Sequence, residues 1–131
     1  MALVVEYNPE HDGLPDPGEV VWAWVAYEED ASKGKDRPVL VVARDGEELV
    51  ALMLTSRDHD QPSRRATDTA RGEQWVDVGA GGWDREHRPS EVRLDRVLRL
   101  DATAVRREGA ALDRARFEEV ATAARALHGW G

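Results

Sequence analysis

Arg37-Pro38-Val39-Leu40-Val41-Val42-Ala43-Arg44-Asp45-Gly46-Glu47-Glu48-Leu49-Val50-Ala51-Leu52-Met53-Leu54 is the stretch from which the fold can be read. Pro38 biases Arg37 toward extended backbone, because its ring crowds the residue before it. Val39 to Ala43 is an apolar, β-branched run of strand length. Arg44-Asp45-Gly46-Glu47 is a hairpin turn, since Asp-Gly tolerates the positive φ angles of tight turns. Glu48 to Leu54 returns as the antiparallel partner.

Working outward from this hairpin, Val20 to Tyr27 (Val-Val-Trp-Ala-Trp-Val-Ala-Tyr) is a further β-branched and aromatic run. With the hairpin it makes a three-stranded meander. The polar stretch Glu28 to Lys35 separates the two. On the other side, residues 56–74 are polar and read as a long loop, which in a small domain is functional or disordered. Trp75 to Val78 is a short strand, and Gly79 to Gly82 marks a turn. Glu91 to Leu100 reads as two short strands, or as one strand with a bulge at Asp95 to Val97. Asp113 can cap a helix over 113–128, in which Phe117, Val120, Ala121, Ala124 and Leu127 recur on one face. Five or six strands in meander order with a terminal helix predict a mainly β fold, a small and strongly bent barrel with a C-terminal α-helix.

The 131 residues fit one domain and carry a formal net charge of −8. Residues 1–30 hold eight acids and no Lys or Arg, so the remaining 101 residues, with 18 acids and 18 bases, are neutral. Net charge therefore does not exclude an RNA partner. Residues 8–18, with three Pro and two Gly, read as an extended acidic leader. It is either a mobile extension or, over residues 6–16, an acidic mimic lying partly over a basic groove. There is no Cys, hence no disulfide framework and no thiolate site. No apolar run approaches the roughly 20 residues of a membrane span, and the N-terminus lacks a signal-peptide pattern. A cytoplasmic protein with no membrane association is expected.

Among candidate sites, His59 between Asp58 and Asp60 lies in a loop and does not form a metal-ligand pattern. Trp22, Trp24, Trp75 and Trp83 are either core or, if exposed, stacking surfaces for a base. Residues 85–107 contain seven Arg against four acids. This is either a solvated strand edge or a phosphate-binding wall. Arg93 and Asp95, two apart on a strand, point to one face. They are either a structural ion pair, the commoner arrangement, or a cation and a proton acceptor for phosphodiester cleavage.

The succession Gly18-Glu19-Val20-Val21-Trp22, Gly34-Lys35-Asp36-Arg37-Pro38-Val39-Leu40-Val41-Val42, Leu54-Thr55-Ser56 and Val92-Arg93-Leu94-Asp95 resembles the MazF/PemK (Kid) family of bacterial toxins over residues 18–128. The resemblance implies an SH3-like barrel in one domain, 18–131, following the leader 1–17. It implies a homodimer that cleaves single-stranded RNA sequence-selectively without metal or other cofactor, and an antitoxin protein that blocks the groove. Carried over residue by residue, Arg37 would contact the scissile phosphate, and Arg93 and Asp95 would be general acid and general base. Thr55 and Ser56 would orient RNA, and Glu19 would lie near the groove. Lys35 and Arg96 would add charge for RNA binding. The loop Glu28 to Asp36 departs from the pattern in having no His. The alternative is a non-catalytic module of the toxin fold that binds protein, as the gyrase-poisoning toxins do, or RNA without cutting it.

Overall fold

A computed structural model describes residues 4–9, 16–55, 74–84, 86, 88–105 and 107–131. Among the described residues are six strands and one α-helix: β1 (Glu19–Ala26), β2 (Gly34–Asp45), β3 (Glu48–Thr55), β4 (Trp75–Gly79), β5 (Ser90–Asp101), β6 (Arg107–Ala111) and α1 (Arg114–His128). The strands form one antiparallel sheet in the order β4-β5-β3-β2-β1-β6. The curled sheet and its C-terminal helix bear out the mainly β, barrel-type reading.

The β2–β3 hairpin turns where expected. Asp45 pairs with Glu48, and Gly46 takes a φ of +63°, which an L side chain adopts at a cost. β1, β3 and the Val39 to Ala43 part of β2 are apolar almost without interruption because both faces of the sheet are covered there. On one face Val20, Leu40, Val50 and Leu52 pack beneath Phe117, Val120, Ala121 and Ala124 of α1. On the other, Val21, Val39, Val41 and Ala51 pack inside the curl against Trp75, Leu98 and Leu100.

Two irregularities position the site. The first is in β2, which begins at Gly34, five residues before the apolar run. Residues 34–38 pair with β1 (Gly34 with Ala26, Pro38 with Trp22), whereas the pairing with β3 runs only from Val39 opposite Met53. The missing N–H of Pro38 therefore falls where the β3 side of the strand is unpaired. Gly34 is required by close approach: a Cβ there would fall on the Val25 carbonyl oxygen and lie 2.9 Å from the Ala26 Cα.

The second irregularity is the bulge anticipated in β5. Leu52 pairs with Val97 and Leu54 with Val92, so Met53 alone faces the four residues Arg93 to Arg96. The bulged segment is held from both sides. Its Leu94 N–H donates to the Gln74 carbonyl at 2.8 Å, and the Leu94 carbonyl accepts from His128 Nε2 at 2.7 Å.

Asp113 caps α1 by accepting from the Arg116 N–H at 3.1 Å, and Gly129, at φ +72°, closes its other end. β6 was not localised in the sequence reading, because Arg107-Glu108-Gly109-Ala110-Ala111 has no β-branched or aromatic residue. Of the leader, residues 4–9 pack on the barrel near the α1 terminus. The Val5 N–H donates to the Gly131 carbonyl, the Glu6 N–H to the Val42 carbonyl, and Tyr7 Oη to the Leu112 carbonyl. Among the described residues no helix is long and apolar enough to cross a membrane.

Candidate active site

Where the first half of β2 leaves β3, a cleft of about 340 Å³ opens. It is lined by Tyr27, Glu28 and Glu29 from the β1–β2 loop, Arg37 from β2 and Thr55 from the end of β3; Trp75 of β4 and Arg93 and Arg96 from the β5 bulge close it. Arg37 and Thr55 also line a smaller hollow of about 120 Å³, which includes Lys35 and Arg88. These two residues thus form the saddle between the two depressions.

The three arginines of the cleft differ in what they can offer a ligand. Arg93 is nearly buried and its guanidinium is engaged by carboxylates. Its Nε and Nη2 donate to Asp95 at 2.8–3.1 Å, and Nη1 donates to Glu28 Oε1. Burial works against its charge, but the Asp95 and Glu28 hydrogen bonds and charges outweigh this and hold its pKa well above the usual value. Arg96 donates to the Ala26 carbonyl at 2.6 Å, tying the bulge to the end of β1. Arg37 makes no hydrogen bond or ion pair with the described residues. Burial pulls its pKa below the ordinary value; Tyr27 opposes this, and the like charge of Arg96 reinforces it. A partly desolvated cation beside a second cation is a poor structural group and a ready anion site.

Both oxygens of Asp95 are engaged. Besides the Arg93 fork, Oδ1 accepts from the Gln74 N–H at 2.8 Å. Burial raises its pKa, but the Arg93 hydrogen bond, the Gln74 N–H and the Arg93 charge together bring it below the usual carboxylate range. Glu28 is different: only Oε1 is engaged, by Arg93, and the side chain is about half exposed at 51%.

The structure brings together Arg37, Thr55, Arg93, Asp95 and Arg96, with Lys35 in the adjoining hollow. Glu19 does not join them. It lies buried at the opposite end of β1, where Oε1 accepts from the Asp16 N–H at 2.8 Å. Ser56 lies outside the described residues, as do His59 and nearly all of the 56–74 loop. Of the arginine-rich segment, three described members are ion-paired: Arg88 meets Asp84 at 2.9 Å, Arg93 meets Asp95, and Arg99 meets Asp45 at 2.8 Å. Sequence reasoning did not single out Tyr27 and Glu28. Their only signal was their place, Tyr27 at the end of the first apolar run and Glu28 at the start of the polar stretch leading to Arg37-Pro38.

Comparison with known proteins places this geometry. The family model of PemK-like, MazF-like toxins of type II toxin–antitoxin systems matches residues 16–128. Among solved structures, the MazE–MazF complex of Deinococcus radiodurans matches with a TM-score of 0.61 and 21% identity, covering 92% of this chain and 100% of that one. An endoribonuclease in complex with its cognate antitoxin, from Mycobacterial species, matches with a TM-score of 0.60 and 19% identity, covering 90% and 96%. MazF-mt6 of Mycobacterium tuberculosis matches with a TM-score of 0.51 and 16% identity, covering 85% and 98%. At these identities the structural likeness speaks for the fold. No curated protein matches significantly by sequence.

Proposed function

This chain belongs to the PemK-like, MazF-like toxin family of type II toxin–antitoxin systems, and on that premise we propose that its cleft cleaves single-stranded RNA. The observation that carries this reading is Arg37: a half-buried guanidinium with no carboxylate partner among the described residues, beside Arg96 and Thr55, in a cleft open to solvent. Phosphate is the anion such a fork suits, and RNA presents one per nucleotide.

In the proposed reaction the ribose 2′-hydroxyl attacks the adjacent phosphorus. Arg37 holds the phosphate and neutralises the charge that grows on its oxygens, an effect worth about 10²–10³-fold for one well-placed donor. Thr55 Oγ1 positions the strand. The resemblance assigns Arg93 the acid and Asp95 the base. Their bidentate pairing favours another role, because Arg93 holds its protons tightly and both Asp95 oxygens are engaged by N–H donors. They act as a fixed ion pair that shapes the floor of the cleft. The reaction uses side chains alone and needs no metal. The toxin works in the cytoplasm as a homodimer that cuts no RNA until an antitoxin partner dissociates; the antitoxin-bound structures of its neighbours support such a partner.

The test is incubation of the pure protein with long single-stranded RNA in EDTA, beside the Arg37→Ala variant. The reading expects cleavage by the wild type and a loss of about 10²-fold or more in kcat/KM for the variant. Intact RNA at high enzyme concentration, or equal cleavage by both proteins, would overturn it.

A further inference from the structure

A 2′-hydroxyl attack needs a proton acceptor, and the loop before Arg37 has no His to supply one. A general base must be ionised, within reach of the reacting hydroxyl, and in possession of a free lone pair. Asp95 meets the third requirement less well, since the Gln74 N–H and the Arg93 fork engage both of its oxygens. Among the described residues two carboxylates line the cleft, Glu28 and Glu29. Glu29 is exposed, and none of its contacts fixes it in the cleft. Glu28 is fixed: Arg93 Nη1 donates to its Oε1, while its Oε2 accepts no hydrogen bond. The side chain is about half exposed, in a cleft that also contains Arg37 and Thr55.

We propose that Glu28, oriented by Arg93, is the catalytic base of this site. The inference rests on the RNA-cleaving reading of the cleft and names the group that reading leaves open. It follows the logic of an activated nucleophile whose base is held by a third residue, here Arg93, which Asp95 anchors in turn. The step balances without a further reactant. Glu28 Oε2 takes the 2′-hydroxyl proton as the 2′-oxygen forms its bond to phosphorus. The bond from phosphorus to the 5′-oxygen breaks, that oxygen takes a proton from water, and Glu28 returns its proton to the resulting hydroxide.

The test separates chemistry from binding. Single-turnover cleavage of saturating single-stranded RNA is measured for wild type, Glu28→Gln, Glu28→Asp and Asp95→Asn. The Kd of the same strand with every 2′-oxygen methylated, which cannot be cut, is measured alongside. Glu28→Gln should lose about 10²-fold or more in cleavage rate, the span expected of a general base. Its affinity for the methylated strand should be unchanged or tighter, because a negative charge has left the cleft. Glu28→Asp should recover part of the rate. Cleavage by Glu28→Gln within threefold of wild type would overturn the proposal, and faster cleavage would show Glu28 to be a plug rather than a base. A larger loss for Asp95→Asn than for Glu28→Gln at unchanged affinity would return the base to Asp95. A wild type that binds the methylated strand but cuts no RNA fails the catalytic reading itself, and this proposal with it.

Discussion

Arg37 and Arg93 line one cleft, yet their surroundings give them opposite properties. Arg93 has traded its capacity for ligands for a rigid network with Asp95 and Glu28, while Arg37 keeps its donors unspent. Arg37→Ala should therefore lower affinity for uncleavable single-stranded RNA. It should also flatten the slope of log K against log salt by about 0.7, the value for one lost phosphate contact, as read by anisotropy titrations. Asp95 has a different signature. Its folded pKa lies below the ordinary carboxylate value of about 3.9, so its ionic contribution to stability is complete above that pH and is lost as pH falls through the folded value. The gap in Tm between wild type and Asp95→Asn should be constant from neutral pH down to about 5 and close below about 4. The Arg-x-Asp pattern was legible in sequence as a pair on one strand face. Whether the pair was a structural bridge or a cation and base was not, because that depends on Gln74 and Glu28, which are remote in sequence.

At the scale of elements, the site is made by departures from regular pairing. β2 extends past its partner β3 and delivers Arg37 to the cleft, and β5 bulges opposite Met53 and delivers Arg93 and Arg96. Bulges commonly re-aim side chains next to functional sites. The apolar runs, the Asp-Gly turn and the Asp113 cap were readable because each rests on local chemistry. The early start of β2 was not, since Gly34-Lys35-Asp36-Arg37-Pro38 has little strand propensity and is drawn into the sheet by β1. β6 was missed for the same reason. His128, in the last turn of α1, donates to the Leu94 carbonyl inside the bulge. His128→Ala should lower stability by about 0.5–1.5 kcal/mol, the worth of one neutral hydrogen bond, in urea unfolding. Its cleavage rate should fall while affinity for uncleavable RNA, held by Arg37, is retained. A fall in affinity with an unchanged rate would refute that division of labour.

Over the whole molecule, the −8 net charge describes the leader and the start of the sheet, and the cleft is locally balanced between three arginines and the acids around them. Of the two readings of the leader, neither describes residues 4–9, which pack on the barrel at the α1 terminus and not over the cleft. Val5 is buried in the core beneath α1, and Arg125 donates to the Val5 carbonyl at 2.9 Å. Removing residues 1–9 should cost about 2 kcal/mol or more, the transfer energy of a buried Val side chain, and should leave RNA affinity unchanged. Tighter RNA binding by the shortened chain would instead support a leader that shields the cleft.

The most direct measurement of the central claim is the chemistry of the ends that the protein leaves on single-stranded RNA in EDTA. Attack by the 2′-hydroxyl in this cleft predicts fragments ending in a 2′,3′-cyclic phosphate and beginning with a 5′-hydroxyl, with no scission where the 2′-oxygen is methylated. Uncut RNA, or fragments carrying 3′-hydroxyl and 5′-phosphate ends, would contradict it.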